Sequence, residues 1–229
     1  MRSCQLLILS VLISVVGCDA RNAPAPVQQP QTPKAEKDSP MDNDTADDDW
    51  QESWDARLAT LETEFGKSED KIATSPVPIY LGGGADVLTF KKHIDGVVYI
   101  SAGLIGDGRQ KKTDIGEYEL MMCAREENDW VPSLLSKLAP YTFEAALNPG
   151  DTMDIASAMP EGSTIAALLY VPCRQFKVND TDAGVLLCIG ITEKELQHCR
   201  KNGHADVLVQ LKAKAVYPYT DTERDPVVP

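Results

Sequence analysis

The chain of 229 residues predicts a mixed α/β fold: a single domain whose central mixed β-sheet is covered by helices on both faces. Three observations carry that expectation. The runs IAALLYV, within 163–172, and VLLCIGI, within 184–191, are apolar almost without a break, the pattern of strands covered on both sides. Trp50, Trp54, Leu58, Leu61 and Phe65 recur at helical spacing on one stripe, with Gly66 placed to end the helix. Thr192 and Glu195 form a capping box that opens another helix, which ends near Asn202 and Gly203.

At the N-terminus, CQLLILSVLISVVGC at 4–18 is too short for a bilayer span, which needs roughly 20 apolar residues, and fits the core of a secretory signal. Val15, Val16, Gly17 and Cys18 resemble the lipobox of bacterial lipoproteins. That resemblance implies cleavage before Cys18 and acylation of its thiol, since two or more acyl chains anchor stably where one is marginal. Asp19 resembles the inner-membrane retention residue of some bacteria, which leaves the membrane open. Residues 1–18 are therefore read as a lipoprotein signal peptide. Positions 19–49, rich in Pro, Ala, Gln and Asp, bury too little to fold and are read as a disordered tether. As a random coil they reach roughly 30 Å. Residues 50–229 are the domain, and Asp47, Asp48 and Asp49 suit the negative start of its first helix.

Beyond that helix, short β-like runs at 77–81 and 86–91 flank Gly82, Gly83 and Gly84, a turn rather than a phosphate cradle. Strands are expected at 97–102 (VVYISA) and 117–124 (EYELMMCA), around the loop GLIGDGRQKKTDIG. A helix is expected from Asp129 or Trp130 to about Ala146, with Pro132 tolerated in its first turn. After the two apolar strands and the capped helix come a helix over about 205–213 and the tail VYPYTDTERDPVV.

From residue 50 onward, 18 basic residues face 27 acidic ones, a net charge of −9. Such a surface repels phosphate backbones, so no nucleic-acid partner is expected and a basic protein partner is favoured. Cys123, Cys173, Cys188 and Cys199 permit one or two disulfides in an oxidising compartment, or act as small core residues. Cys199 and His204 lack a second ligand pair, so no metal is expected.

Catalytic signatures are missing from the sequence. His93, His198 and His204 lie in no nucleophile motif, and no G-x-S-x-G, H-E-x-x-H or P-loop pattern occurs. Glu117 and Glu119 project from one face of a strand as a possible carboxylate pair, with Leu120 and Met122 opposite; the glutamates suit a solvated or helix-covered side. Arg224, near Asp221 and Asp225, suits salt bridges that pin the tail. No catalytic residue and no cofactor is expected.

VVYISAGL, GEYELMMCA, WVPSLLSKLAPYTFE with PGDTM, LLCIGITEKELQHCRKNGHADVLVQL and TDTERDPVV follow one another in that order. Together they resemble the suppressor of fused domain family over residues 97–227. The resemblance implies a mixed α/β sandwich and protein recognition rather than catalysis. Animal members hold a partner peptide partly by adding it as a strand. Bacterial members are often proposed as immunity proteins. On matching positions, Tyr99 and Asp107 are the implied contact residues, beside the mobile-edge loop Gly103 to Gly116.

The expected function is therefore a protein-binding module, tethered through Cys18 to a membrane of the bacterial envelope and facing the periplasm or exterior. A basic toxin or a peptide strand is its expected partner. An envelope enzyme or small-ligand lipoprotein, and a structural envelope lipoprotein without a discrete ligand, are the competing classes.

Overall fold

Strands β1 (Asp86–Phe90), β2 (Val97–Ala102) and β3 (Glu117–Ala124) form an antiparallel meander where the apolar runs place them. A computed structural model describes residues 43–229, with side chains from residue 51. The leader, Cys18 and all but the last residues of the tether lie outside the described residues. Helix α1 (Asn43–Phe65) precedes the meander. After it the chain runs through α2 (Trp130–Leu138), α3 (Tyr141–Glu144), β4 (Thr152–Asp154), β5 (Ile165–Val178), β6 (Thr181–Thr192), α4 (Glu193–Asn202) and α5 (His204–Ala213). The six strands lie in the order β1-β2-β3-β6-β5-β4, and only β3 and β6 pair in parallel, so the sheet is mixed. Residues from Asp42 to Pro229 form one compact unit.

Alternation along the strands sorts the core into two layers. Tyr99, Tyr118, Leu120, Met122, Leu168, Tyr170 and Leu186 pack against Val131, Leu134, Leu135 and Leu138 of α2. Leu88, Ile100, Met121, Leu169, Leu187 and Ile189 face the other way, against Leu61 and Phe65 of α1, Leu196 of α4, and Val207 and Leu211 of α5. Every residue of β2 and β3 is buried. The sheet is thus covered on both faces, as its near-continuous apolar strands require.

Several local features depart from expectation. Helix α1 opens at Asn43, so the aspartate block lies inside it rather than ahead of it. The run at 77–81 forms no strand: Ile79–Leu81 is a single 3-10 turn closed by Gly82, whose φ of 84° suits a residue without a Cβ. The glycine triplet therefore follows a helical turn, and Gly84 lies where a Cβ would collide with the Ser136 Oγ. The helix expected over 129–146 divides at Pro140, whose ring removes a backbone donor, and only the short α3 follows. Strands β5 and β6 run beyond the apolar runs into a long hairpin. Its turn is Asn179 and Asp180, both at positive φ, a two-residue turn of the kind that joins twisted strands. Strand β4 was not foreseen, because three residues carry too little pattern.

The C-terminal tail is part of the fold. The Thr220 N–H donates to the Cys123 carbonyl (2.8 Å), and the Gly190 N–H donates to the Thr220 Oγ1 (2.8 Å). Arg224 is held by Glu195, not by Asp221 or Asp225 side chains as expected: Nη1 donates to Oε1 and Nη2 to Oε2, each at 2.6 Å. Glu195 also completes the capping box with Thr192 and accepts from the Val227 N–H (2.7 Å). One carboxylate thereby joins a helix start to the chain end.

All four described cysteines are free thiols. Burial pushes the Cys123 thiol up to about 12 and that of the half-buried Cys199 up to about 11, so they are held as neutral thiols. Among the described residues no helix is long and apolar enough to cross a membrane.

Candidate functional site

The Gly103–Gly106 backbone is organised by two carboxylates that it covers. Glu117 and Glu119 alternate with Tyr118 on β3 and so share a face, as read from the sequence. They are not solvated: Glu119 is fully buried, with Arg57 of α1 3.9 Å away, and Glu117 is nearly so. The Glu119 Oε1 accepts N–H groups from Gly103 (3.1 Å), Leu104 (2.9 Å) and Ile105 (3.1 Å). Its Oε2 accepts the Ser101 hydroxyl at 2.6 Å. The Glu117 Oε2 accepts the Gly106 N–H (2.7 Å), and its Oε1 pairs with Lys112 at 3.0 Å. Burial pushes the Glu119 carboxyl above its ordinary value, opposed by Arg57 and by these donors. A carboxylate wrapped in its own backbone offers no oxygen to a substrate, so the pair forms no open acid/base centre.

Where this loop meets α1, a groove of about 640 Å³ opens. Ser53, Trp54 and Arg57 line one wall, Pro78, Ile79 and Tyr80 another, and Gly103 to Asp107 the end. The approach is close, since a Cβ on Gly106 would lie 3.3 Å from the Ser53 Oγ. Tyr80 (66% exposed) lines the groove, and Leu81 (67% exposed) follows it in the same turn, placing apolar surface in solvent beside a concavity.

The two expected contact residues part company here. Asp107 lines the groove but is committed to Arg109: its Oδ1 accepts from Nε (2.6 Å) and its Oδ2 from Nη2 (2.7 Å). The Arg109 guanidinium sits 4.4 Å from the Phe143 ring centroid, and the Asp107 hydrogen bonds raise its already high pKa. Tyr99 has only 1% of its surface exposed and lies in the core layer under α2. Its hydroxyl accepts the Asn128 N–H (2.9 Å) and donates to the Asn128 carbonyl (3.2 Å), which fixes the approach to α2. Tyr99 thus has no direct contact surface in this conformation and reaches the exterior only through Asn128.

Sequence reasoning missed Arg57, Tyr80 and Asp86, which also line the groove. One signal was available: Arg57 stands three residues after Trp54 and four before Leu61, a charge on the apolar stripe of α1. The expected tail anchor Arg224 is absent from the groove lining, whereas Glu117 and Glu119 lie beneath its Gly103–Gly106 end. His198 pairs with Asp206 at 2.8 Å, and among the described residues no group of three His, Cys, Asp or Glu could hold a metal ion.

Comparison with known proteins agrees with this fold. The family described as Suppressor of fused protein (SUFU) matches residues 84–225. Among solved structures, the chain is similar to one in a Sufu-Fu complex, with a TM-score of 0.63 and 15% identity over 76% of this chain and 92% of that one. It is similar to a suppressor of fused homologue from Neisseria gonorrhoeae FA 1090 (TM-score 0.58, 17% identity, 78% of this chain and 98% of that one). Drosophila Suppressor of Fused gives a TM-score of 0.58 at 16% identity over 76% of this chain, which spans 50% of that longer protein. No curated protein sequence matches.

Proposed function

Because the chain belongs to the suppressor of fused family, we propose that it is a protein-binding module that seats a segment of its partner in the groove between α1, the Ile79–Leu81 turn and the Gly103–Asp107 loop. The observation that carries this reading is the groove itself, an open concavity of about 640 Å³ with exposed Tyr80 on its wall. Its size falls in the range of ligand sites, and its rim residue is of the type that dominates recognition energetics. One similar structure is of a Sufu-Fu complex, a precedent for partner binding by this fold. The absence of any reachable oxygen on Glu119 weighs against the enzyme reading.

The setting completes the proposal. Acylated Cys18 tethers the domain to an envelope membrane, and the net charge of −9 from residue 50 onward draws a basic protein partner. In this setting the module acts as an immunity protein that neutralises a toxin met outside the cytoplasm.

Affinity capture with the full chain, tagged after Pro229 and extracted from membranes in mild detergent, tests the reading. A stoichiometric protein lost on Tyr80→Ala or Asp107→Arg is the expected result. Recovery of lipid or wall fragments alone would favour a structural envelope role. Cells lacking the gene become sensitive to a neighbouring toxin producer; unchanged resistance would discard the immunity role while leaving recognition intact. Mass spectrometry of the mature N-terminus is expected to find acylated Cys18, and an intact leader would discard the tether.

A further inference from the structure

One wall of the groove carries a cation that, among the described residues, donates no hydrogen bond. Arg57 has 6% of its surface exposed, and its Nε is buried without a partner. Its nearest carboxylate oxygen is Glu119 Oε1, 3.9 Å from Nη1, beyond hydrogen-bonding distance. Glu119 cannot close that gap easily, because its oxygens already receive three backbone N–H groups and a hydroxyl. The guanidinium instead lies 5.5 Å from the Trp54 ring centroid, and among the described residues it donates no hydrogen bond. Arginine is otherwise used where its planar fork can be matched.

Neither acid lining the groove bonds Arg57. The Asp86 Oδ1 accepts the Ser75 N–H (3.1 Å), and Asp107 is forked onto Arg109. We propose that the groove is a carboxylate-reading subsite, in which Arg57 takes the side chain of one Asp or Glu in a segment of the protein partner. This rests on the binding function proposed above and names the chemistry that sets its register. The single occupant follows from three exclusions. A free C-terminus is usually captured by a nest of backbone N–H groups. Those of Gly103 to Gly106 are consumed by Glu117 and Glu119. A dianionic phosphate would meet one cation with Asp86, Asp107 and Glu119 close by. A second copy of so acidic a chain would be repelled at long range, whereas a basic partner carrying one acidic residue is attracted as a whole and aligned by Arg57.

Short peptides, acetylated at one end and amidated at the other, test this when arrayed with Glu, Gln, Lys or phosphoserine at a central position among randomised neighbours, with a Gln series left as free acids. The full chain is the probe. Binding is expected to concentrate on the Glu series, to fall at least about tenfold for Gln, and to be lost in both Arg57→Gln and Arg57→Lys. Arg57→Lys keeps the positive charge beside Glu119, so its loss of binding is read against an unchanged melting temperature. Equal binding of the Glu and Gln series, preference for the free-acid or phosphoserine series, binding unaffected by Arg57→Lys, or no binding to the Glu series each overturns the proposal. If affinity capture still recovers a partner dependent on Tyr80 while the array shows no preference for Glu, recognition stands and the carboxylate subsite falls.

Discussion

Glu119 and Glu195 are both fully buried glutamates facing an arginine, yet they sit in opposite electrical situations. Glu195 and Arg224 form a closed fork, with two bonds of 2.6 Å, and Arg224 also donates to the Gly190 carbonyl (3.0 Å). Glu119 is wrapped by backbone donors, and its arginine waits 3.9 Å away with its donors unspent. The first pair holds the chain terminus through both Nη groups, leaving only the Arg224 Nε unpaired. The second is half a fastening plus an available cation, and it lies on the groove. A buried ion pair therefore does not announce its role by its presence; the role shows in which partner has unused hydrogen-bonding capacity.

The sharpest way to break this contrast is Arg224→Met. It leaves Glu195 buried without its cation, and calorimetry should show a loss of about 3–5 kcal/mol in folding stability. A loss below about 1 kcal/mol would mean the tail is not fastened as described. Next in size is Glu119→Ala, which frees the N–H groups of Gly103, Leu104 and Ile105. It should cost about 2–3 kcal/mol and raise amide hydrogen exchange at those three residues while leaving the tail protected.

Acidity separates the two carboxylates by sign. Burial pushes Glu195 up, but the Arg224 hydrogen bonds and the N–H groups of Val227 and Thr192 outweigh it and hold the carboxyl below its ordinary value. Its folded state binds fewer protons than its unfolded state. The stabilisation is therefore present above the ordinary carboxylate range and is lost as pH falls through the lower, folded value. Glu119, raised by burial, acts the other way: its contribution is full below the ordinary range and declines as pH rises through the raised value. Melting curves of Glu195→Gln should flatten the acid limb, and those of Glu119→Gln the limb nearer neutrality. Identical profiles for the two variants would erase the distinction.

The two smallest effects sharpen the contrast. Tyr99→Phe removes the hydroxyl that holds Asn128 and should cost about 1 kcal/mol, with binding to the partner reduced only through the Asn128 segment. Arg57→Met, which keeps the bulk and gives up no hydrogen bond but removes the cation 3.9 Å from Glu119, should cost about 1 kcal/mol, well short of Arg224→Met. A loss as large as that of Arg224→Met would make Arg57 a structural fastening instead.

Much of the scaffold was legible because it depends on local patterns. The strands β2 and β3, the stripe of α1 and the Thr192–Glu195 box are each written within a few neighbouring residues, and apolar runs without alternation imply cover on both faces whatever covers them. The hairpin beyond Val171 escaped because CRQFKV reads as polar chain, and its strand state comes from pairing with Thr181–Val185 across the Asn179–Asp180 turn. The 3-10 turn at Ile79–Leu81 escaped because the five residues 77–81 that contain it suit a strand equally well.

The candidate site was barely legible. Asp107, expected as a contact residue, lines the groove, whereas Tyr99, its companion in the family resemblance, turns inward to Asn128. What the sequence determined by itself is the set of elements, their amphipathic faces and the acidity of the surface, because these follow from side-chain spacing and count. Only tertiary structure decided that Arg224 closes on Glu195 across 29 residues of chain while Arg57, brought over Glu119 from a helix more than half a hundred residues away, does not quite reach it. Distance between charges in space, and which lone pairs other donors have already taken, are properties of the packed fold alone.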